Sequence, residues 1–260
     1  MAKAPDVTAI ITAHREGLLV GPAAQSLLQA VAHAEKRGLA CEILAVLDRA
    51  DETTRSVLSE ALDGQARFLE TDEGDPGGAR NRGTESAEGR YSAFLDADDL
   101  WSENWLSASV AAAEKRPDAV HHSACNLAFG GKRVLFWHPD SETSLFDPAY
   151  LDWLNYWDAM SLARTELYRR YPFKPNDLKA GYGHEDWHWN AWTIAEGVPH
   201  KPVPGTMHFK RARAGSQMSM VDFLGAFRWP IRKGELRDLV APNPKAPSPA
   251  NEERPGTTRR

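Results

Sequence analysis

Residues 1–100 alternate strictly between short β-rich runs and stretches of helical period, and few folds accept that order. Val7-Thr8-Ala9-Ile10-Ile11-Thr12 reads as a buried strand, with polar His14, Arg15 and Glu16 after it. Leu27, Leu28, Val31 and Ala34 share one face of a helix predicted over 25–36, which Gly38 ends. A strand over 42–47, a helix over 53–62 and a strand over 66–70 follow. Residues 72–78 form a Gly/Pro/acid loop, 79–88 a helix closed by Gly89, and Tyr91 to Leu95 a fourth strand. The order implies an α/β domain: a Rossmann-type, mostly parallel sheet flanked by helices on both faces. In such sheets ligands sit at the carboxyl ends of the strands, where Asp48 and Asp96 fall.

The second half is less regular. Ser102 is the expected cap of a helix that reaches Arg116 and stops at Pro117. A strand over 119–128, a turn at Gly130-Gly131 and a strand over 132–137 follow, with short helices over 148–157 and 165–170 and another from Glu185 to Glu196. The reading is one domain over 1–220, with a ligand-binding half at 1–100 and a second half at 101–220. An amphipathic extension at 221–241 then carries Phe223, Leu224, Phe227 and Trp229 opposite Arg228, Arg232 and Lys233, although Pro230 argues against one continuous helix. Such a segment can pack on the domain, bind a partner or lie on a membrane surface. The Pro- and charge-rich 242–260 is expected to be a disordered tail.

Two acidic motifs carry chemistry. Asp96-Ala97-Asp98-Asp99 directly follows an apolar strand, and three carboxylates in four residues repel one another unless a cation or solvent intervenes. Strand alternation puts Asp96 and Asp98 on one side, where their oxygens suit Mg²⁺ or Mn²⁺ and, through it, a diphosphate. The competing reading is a solvated turn in which Asp99 caps the next helix. The second motif is His184-Glu185-Asp186-Trp187-His188, which satisfies the H-E-x-x-H zinc pattern and admits a zinc hydrolase through His184 and His188. Gly181 and Gly183, however, start the helix near Glu185, leaving His184 outside it, and no third ligand follows at the required spacing.

The central block is the most specific part of the chain. Gly78-Ala79-Arg80-Asn81-Arg82-Gly83, then Ala87 and Gly89, then Phe94-Leu95-Asp96-Ala97-Asp98-Asp99-Leu100-Trp101 closely resemble the glycosyltransferase family 2 pattern. Residues 42–51 resemble that family's acidic second-strand segment, and the likeness runs over about residues 6–220. It implies a GT-A-like fold, an inverting transfer of a sugar from a nucleotide diphosphate sugar (UDP-sugar by family habit) to an acceptor hydroxyl, and Mn²⁺ or Mg²⁺ as cofactor. It assigns Thr12, His14, Glu16, Asp48, Arg80, Asn81, Asp96, Ala97, Asp98 and Arg211 to the donor, and Asp98, Asp96 and His208 to the metal. Residues 161–192 resemble the family's acceptor-side segment, which makes Asp186 the general base and Glu185 its assistant. An inverting reaction needs a base on the face opposite the leaving group; the plainer alternative is that both acids merely favour a helix N-terminus. The Arg that the family often carries later in this helix is missing before Gly197. Residues 208–219 loosely resemble a late family segment whose cations would neutralise the leaving diphosphate; for any one of these residues the plainer reading is a solvated basic loop.

Composition narrows the partners. A net charge of −5 without a long basic run argues against nucleic acid. Cys41 and Cys125 are not a disulfide framework, and no apolar run approaches membrane-spanning length, so the cytoplasm, or the inner face of its membrane, is the expected location. Nine tryptophans are unusually many, and Trp137 and Trp187 are the chosen platforms for a saccharide or lipid-linked saccharide acceptor. The alternative from another class is a nucleotide-sugar-binding protein that retains the acid cluster but positions no base.

Overall fold

The strand β1 (Val7–Ala13) runs through the middle of a nine-stranded sheet and shows how the chain sorts its apolar residues. Its odd positions, Val7, Ala9, Ile11 and Ala13, join one buried cluster, and Ile10 joins another on the opposite face. The first cluster is completed by α1 (Val20–Glu35) and α4 (Trp105–Lys115). The second contains Ala79 of α3 (Pro76–Ser86), Tyr168 of α5 (Thr165–Arg170) and Trp189 of α6 (Glu185–Ala195). This is the expected helix–sheet–helix sandwich. The computed structural model describes residues 4–131, 133–213 and 225–231, and residues up to Trp229 belong to one compact unit.

The order in the sheet is β3 (Arg67–Thr71), β2 (Cys41–Asp48), β1, β4 (Tyr91–Asp96), β8 (Ser161–Arg164), β6 (Val120–Gly130), β9 (His200–Ala212) and β5 (Leu100–Trp101), with β7 (Val134–Trp137) on β6. The first four strands are parallel, as the alternation predicts. The second half is mixed: β8 is antiparallel to β4 and β6, whereas β9 runs parallel to β6. Helix α2 (Glu52–Ala61) completes the first half, with the Asp51 carboxylate accepting Thr54 N–H at its N-cap.

Several local expectations need correction. Helix α1 begins at Val20, earlier than predicted, because Pro22 falls in the first turn, where its missing N–H costs nothing. Helix α3 begins at Pro76 for the same reason, capped by Asp75, so Gly77 and Gly78 belong to the helix and Arg80 lies past its first turn. The strand carrying the acid cluster ends at Asp96, and Asp99 N–H closes a turn on Asp96 C=O, so strand alternation does not set the direction of Asp98. Neither Asp99 nor Ser102 caps α4: its N-cap is Asn104, and Ser102 Oγ accepts Met207 N–H instead. The 148–157 helix shrinks to a 3₁₀ turn, Pro148–Asp152. The segment from His208 to Ala212, read as a basic loop, is the end of the long strand β9.

Residues 225–229 of the proposed extension pack on the domain. The Trp229 ring stacks 3.7 Å from that of Tyr182, and its Nε1 donates to Pro175 C=O at 3.0 Å. Arg228 donates to Leu151 C=O and Asp152. The rest of the extension (221–224 and 232–241), the 242–260 tail and residues 214–219 of the late basic segment lie outside the described residues.

Candidate active site

Three strands end together and carry acids. In the β1–β4 register Thr12 pairs with Asp96, the Thr12 hydroxyl bonds its carboxylate, and Ala97 N–H donates to Thr12 C=O. His14 follows, its Nδ1 2.6 Å from Asp48 C=O and its backbone N–H on Glu16 Oε2. Burial pushes the Glu16 carboxyl upward. Asp48 accepts from Thr71 Oγ1, Glu73 N–H and Gly74 N–H through one oxygen, which folds the loop after β3. Parallel order alone brings Thr12, His14, Glu16, Asp48, Asp96 and Ala97 to one edge.

Arg80 ties that edge to the second half. It is 3% exposed, and its two terminal nitrogens reach Asp96 Oδ1 at 2.6 Å and Glu185 Oε1 at 2.9 Å. Arg80, which the family resemblance assigns to the donor, forms a buried bridge between the two acid motifs. Glu185 Oε2 continues through Asn176 to Asp75, the cap of α3. Asn81 commits both ends of its amide to the Phe173 backbone, 2.8 Å each, which places it as a clamp on the 173 segment.

Each carboxylate of the cluster has its own cation: Arg80 for Asp96, Arg213 for Asp98 at 2.8 Å, and Lys210 for Asp99 at 3.1 Å. Burial alone would raise Asp96, but Arg80 and Lys210 outweigh it and lower its pKa. Asp99, more deeply enclosed, is pushed up to about 7. Lys210 Nζ also faces Asp158 at 3.5 Å. Asp158 was missed by sequence reasoning: it precedes β8 with no motif around it, and only the β6–β9 pairing brings Lys210 to it. Arg211 bonds Asp98 C=O through Nε and Asp99 through its backbone N–H, and its guanidinium lies over Phe129.

His208, which the resemblance assigns to the metal, lies within electrostatic reach of Asp158 and Asp96. Its ring is fully enclosed against Trp105 at 4.5 Å, and burial pushes its pKa down to about 3. Lys210, two residues on, takes the position facing the cluster. Among the described residues no three His, Cys, Asp or Glu side chains converge as a ready-made cage. The carboxylate oxygens of Asp98 and Asp96 still fit a hard divalent ion, since Mg²⁺-type sites use one or two carboxylates and complete the shell with substrate phosphates and water.

Asp186 stands in the first turn of α6, with one oxygen accepting Trp187 N–H at 2.7 Å. Burial, helped by the charge of Glu185, pushes its pKa up to about 7 despite opposing Arg80 and Lys210. A carboxylate so poised is a better proton acceptor near neutrality than an ordinary one. The zinc reading finds no site in the geometry: His184 is left-handed (φ 59°) outside α6 with its ring against Trp187, and among the described residues no group of three His, Cys, Asp or Glu side chains gathers around it and His188. Of the chosen tryptophans, Trp137 is 69% exposed on β7, whereas Trp187 ties its indole N–H to Leu151 C=O beside Asp186.

The chain superposes on Staphylococcus aureus TarS (residues 1–349, in complex with UDP-GlcNAc) with a TM-score of 0.57 at 20% identity, covering 82% of this chain and 60% of that one. The mannosyltransferase PcManGT from Pyrobaculum calidifontis, in complex with GDP-Man and Mn²⁺, superposes with a TM-score of 0.56 at 15% identity over 84% of this chain and 60% of that one. These likenesses establish the GT-A glycosyltransferase fold. The family model described as glycosyl transferase family 2 matches residues 8–175, and the chain belongs to that family. Among curated relatives it is 33% identical over 98 residues to the succinoglycan biosynthesis protein ExoO of Rhizobium meliloti (strain 1021), covering 37% of this chain and 26% of that one. It is 32% identical over 97 residues to the putative teichuronic acid biosynthesis glycosyltransferase TuaG of Bacillus subtilis (strain 168), covering 36% of each. The matches thus span about a third or less of those relatives' own length.

Proposed function

We propose that the chain is an inverting glycosyltransferase that moves a sugar from a nucleotide diphosphate sugar, UDP-linked by default, to an acceptor hydroxyl in surface polysaccharide or glycoconjugate synthesis. The observation that carries this reading is the Arg80 bridge, which joins the acid cluster at the strand ends to the acid pair heading α6. One side suits a donor diphosphate and the other a proton acceptor, and transfer needs both within one donor-plus-acceptor span.

The residues divide the work as follows. Thr12, His14, Glu16 and Asp48 line the edge where the nucleotide would lie. Asp98, with Asp96, would hold Mn²⁺ or Mg²⁺, which when bound screens the charge of the diphosphate. Lys210 and Arg211 keep the cluster near neutrality, so a polyanion is not repelled from three carboxylates. Asp186 takes the acceptor hydroxyl proton as its oxygen attacks the anomeric carbon and the carbon–leaving-oxygen bond breaks; the electron pair leaves on the nucleoside diphosphate. Glu185, held by Arg80 and Asn176, fixes the start of α6 and raises the basicity of its neighbour. Trp187 would border the acceptor, which is a saccharide or a lipid-linked saccharide. Among the described residues no helix is long and apolar enough to cross a membrane, and peripheral contact at the inner face of the cytoplasmic membrane fits a lipid-linked acceptor.

The test is a panel of nucleotide sugars with and without Mn²⁺, followed by two variants. Asp98→Ala is expected to abolish metal-dependent donor turnover. Asp186→Asn is expected to lower transfer by at least about 10²-fold while sparing donor binding; full activity in that variant would sink the base assignment. Donor binding by the unaltered chain without transfer to any acceptor would favour a binding protein instead.

A further inference from the structure

Among the described residues four cations surround the acid cluster, and one is held differently from the rest. Arg80 is buried between two carboxylates, Lys210 faces three, and Arg211 is committed to Asp98 C=O and the Phe129 ring. Arg213 donates through Nε to Asp98 Oδ2 at 2.8 Å. Its side chain is a third exposed (33%), against 4% for Arg80 and 23% for Lys210. Its backbone lies one residue past the last rung of the β6–β9 ladder, Gly130 with Ala212, and among the described residues no sheet pairing includes it.

The carboxylate it holds is the one that the proposed function gives to the divalent ion. A guanidinium on Asp98 and a metal on the same oxygen are alternatives, because like charges at bonding distance of one carboxylate repel. The guanidinium fork also matches a diphosphate as well as it matches a carboxylate. We propose that Arg213 is a resident counterion of Asp98, one that makes a divalent cation and a nucleoside diphosphate bind as a pair. Without the diphosphate, Arg213 neutralises Asp98 and a metal ion must displace it into water. With the diphosphate present, Arg213 gains a second anion to move to, and Asp98 is released to the metal. The coupling is reciprocal: each ligand raises the affinity for the other by the same factor. Donor-free protein would then keep its acid cluster closed to metal at ordinary concentrations. This inference rests on the reading of Asp98 as the metal ligand.

The experiment titrates Mn²⁺ into the full chain, following free Mn²⁺ by electron paramagnetic resonance, with and without UDP, for the unaltered protein and for Arg213→Ala, Arg213→Lys and Asp98→Ala. Arg213→Ala is expected to bind Mn²⁺ in the absence of UDP about tenfold more tightly, the effect of removing one charge-assisted competitor. The enhancement that UDP confers on Mn²⁺ affinity should shrink by a similar factor, and Arg213→Lys should restore part of it. A residue that only braced the fold would weaken binding when removed, not tighten it. Unchanged or weaker UDP-free Mn²⁺ affinity in Arg213→Ala overturns the inference, while loss of UDP-dependent Mn²⁺ binding in Asp98→Ala leaves the metal reading standing. If Asp98→Ala binds Mn²⁺ with UDP as well as the unaltered chain does, both fail.

Discussion

Arg80 shows how much chemistry a motif residue can hide. Its pattern was legible in the sequence, but its partners were not: Asp96 lies 16 residues on and Glu185 lies 105 residues on. With both carboxylates buried or half-buried, removing the cation leaves them uncompensated. Arg80→Ala is therefore expected to cost about 3–5 kcal/mol of folding stability in a denaturant titration. Arg80→Lys should keep much of that stability yet lower transfer, because a single ammonium cannot reach both partners as the fork does. Asp186 makes the residue-scale prediction about pH. Its pKa is raised to about 7, so the base is ionised above that value and protonated below it. The rate of transfer should fall about tenfold per unit below pH 7, and Asp186→Glu should move the limb. A pH–rate profile with no acid limb between 5 and 8 would remove Asp186 from the chemistry.

At the scale of elements, the spacing of the glycines has a mechanical cause. Helix α3 crosses close over β1 and β2: a Cβ on Gly83 would sit 2.9 Å from Ile10 Cγ2 and 3.1 Å from Val46 Cγ2. Gly89 is tighter still, since a Cβ there would run into Thr8 N and lie 2.7 Å from Thr8 Oγ1. Its N–H donates to that same hydroxyl as the chain enters β4. Gly89→Ala is expected to destabilise by about 1–3 kcal/mol, read as a lower denaturant midpoint with unchanged slope; an unchanged midpoint would mean that the crossing can relax. Of the parallel strands, β1, β2 and β4 were legible because each carries a largely apolar, buried run, whereas β3 buries none of its residues fully and was legible from its place in the alternation. Strands β5 and β8 and the long β9 were not: β5 and β8 are short, and β9 mixes Pro, Gly, Lys and His, residues that only its pairing with β6 makes strand-like.

Across the whole molecule, the second half hides an unusual number of histidines. His122, His200 and His208 are fully buried and His138 nearly so, with His122 Nε2 bonded to His200 Nδ1 and His200 Nε2 to Thr193. Burial lowers all four, His200 and His208 to about 3. The unfolded chain therefore binds protons that the folded chain refuses once pH falls below about 6.5. Stability is fully present above that value and is lost progressively toward pH 3. His121 and His188 are lowered by burial as well, which makes six histidines, whereas Asp99 and Asp186, raised toward 7, and Glu16 and Asp75, also raised, act in the opposite sense over part of the range. Melting temperature should drop steadily from pH 6.5 to 4.5, and His200→Gln should flatten that slope. A melting temperature independent of pH would show that these rings are already accessible to protons.

The order of strands and helices in residues 1–100, the strand-end position of Asp48 and Asp96, and the family pattern around Arg80 and Asp96 were all written in local spacing. Apolar periodicity and turn residues act within a few positions, so they survive in a linear reading. The turn direction of Asp98, the enclosure of His208 and the roles of Lys210, Arg213 and Asp158 could not be read that way. Those depend on β9 pairing with β6 and β5, and on α6 meeting α3, contacts between segments 70 or more residues apart. The acid cluster was visible as charge; what balances that charge was settled only when distant strands met beside it.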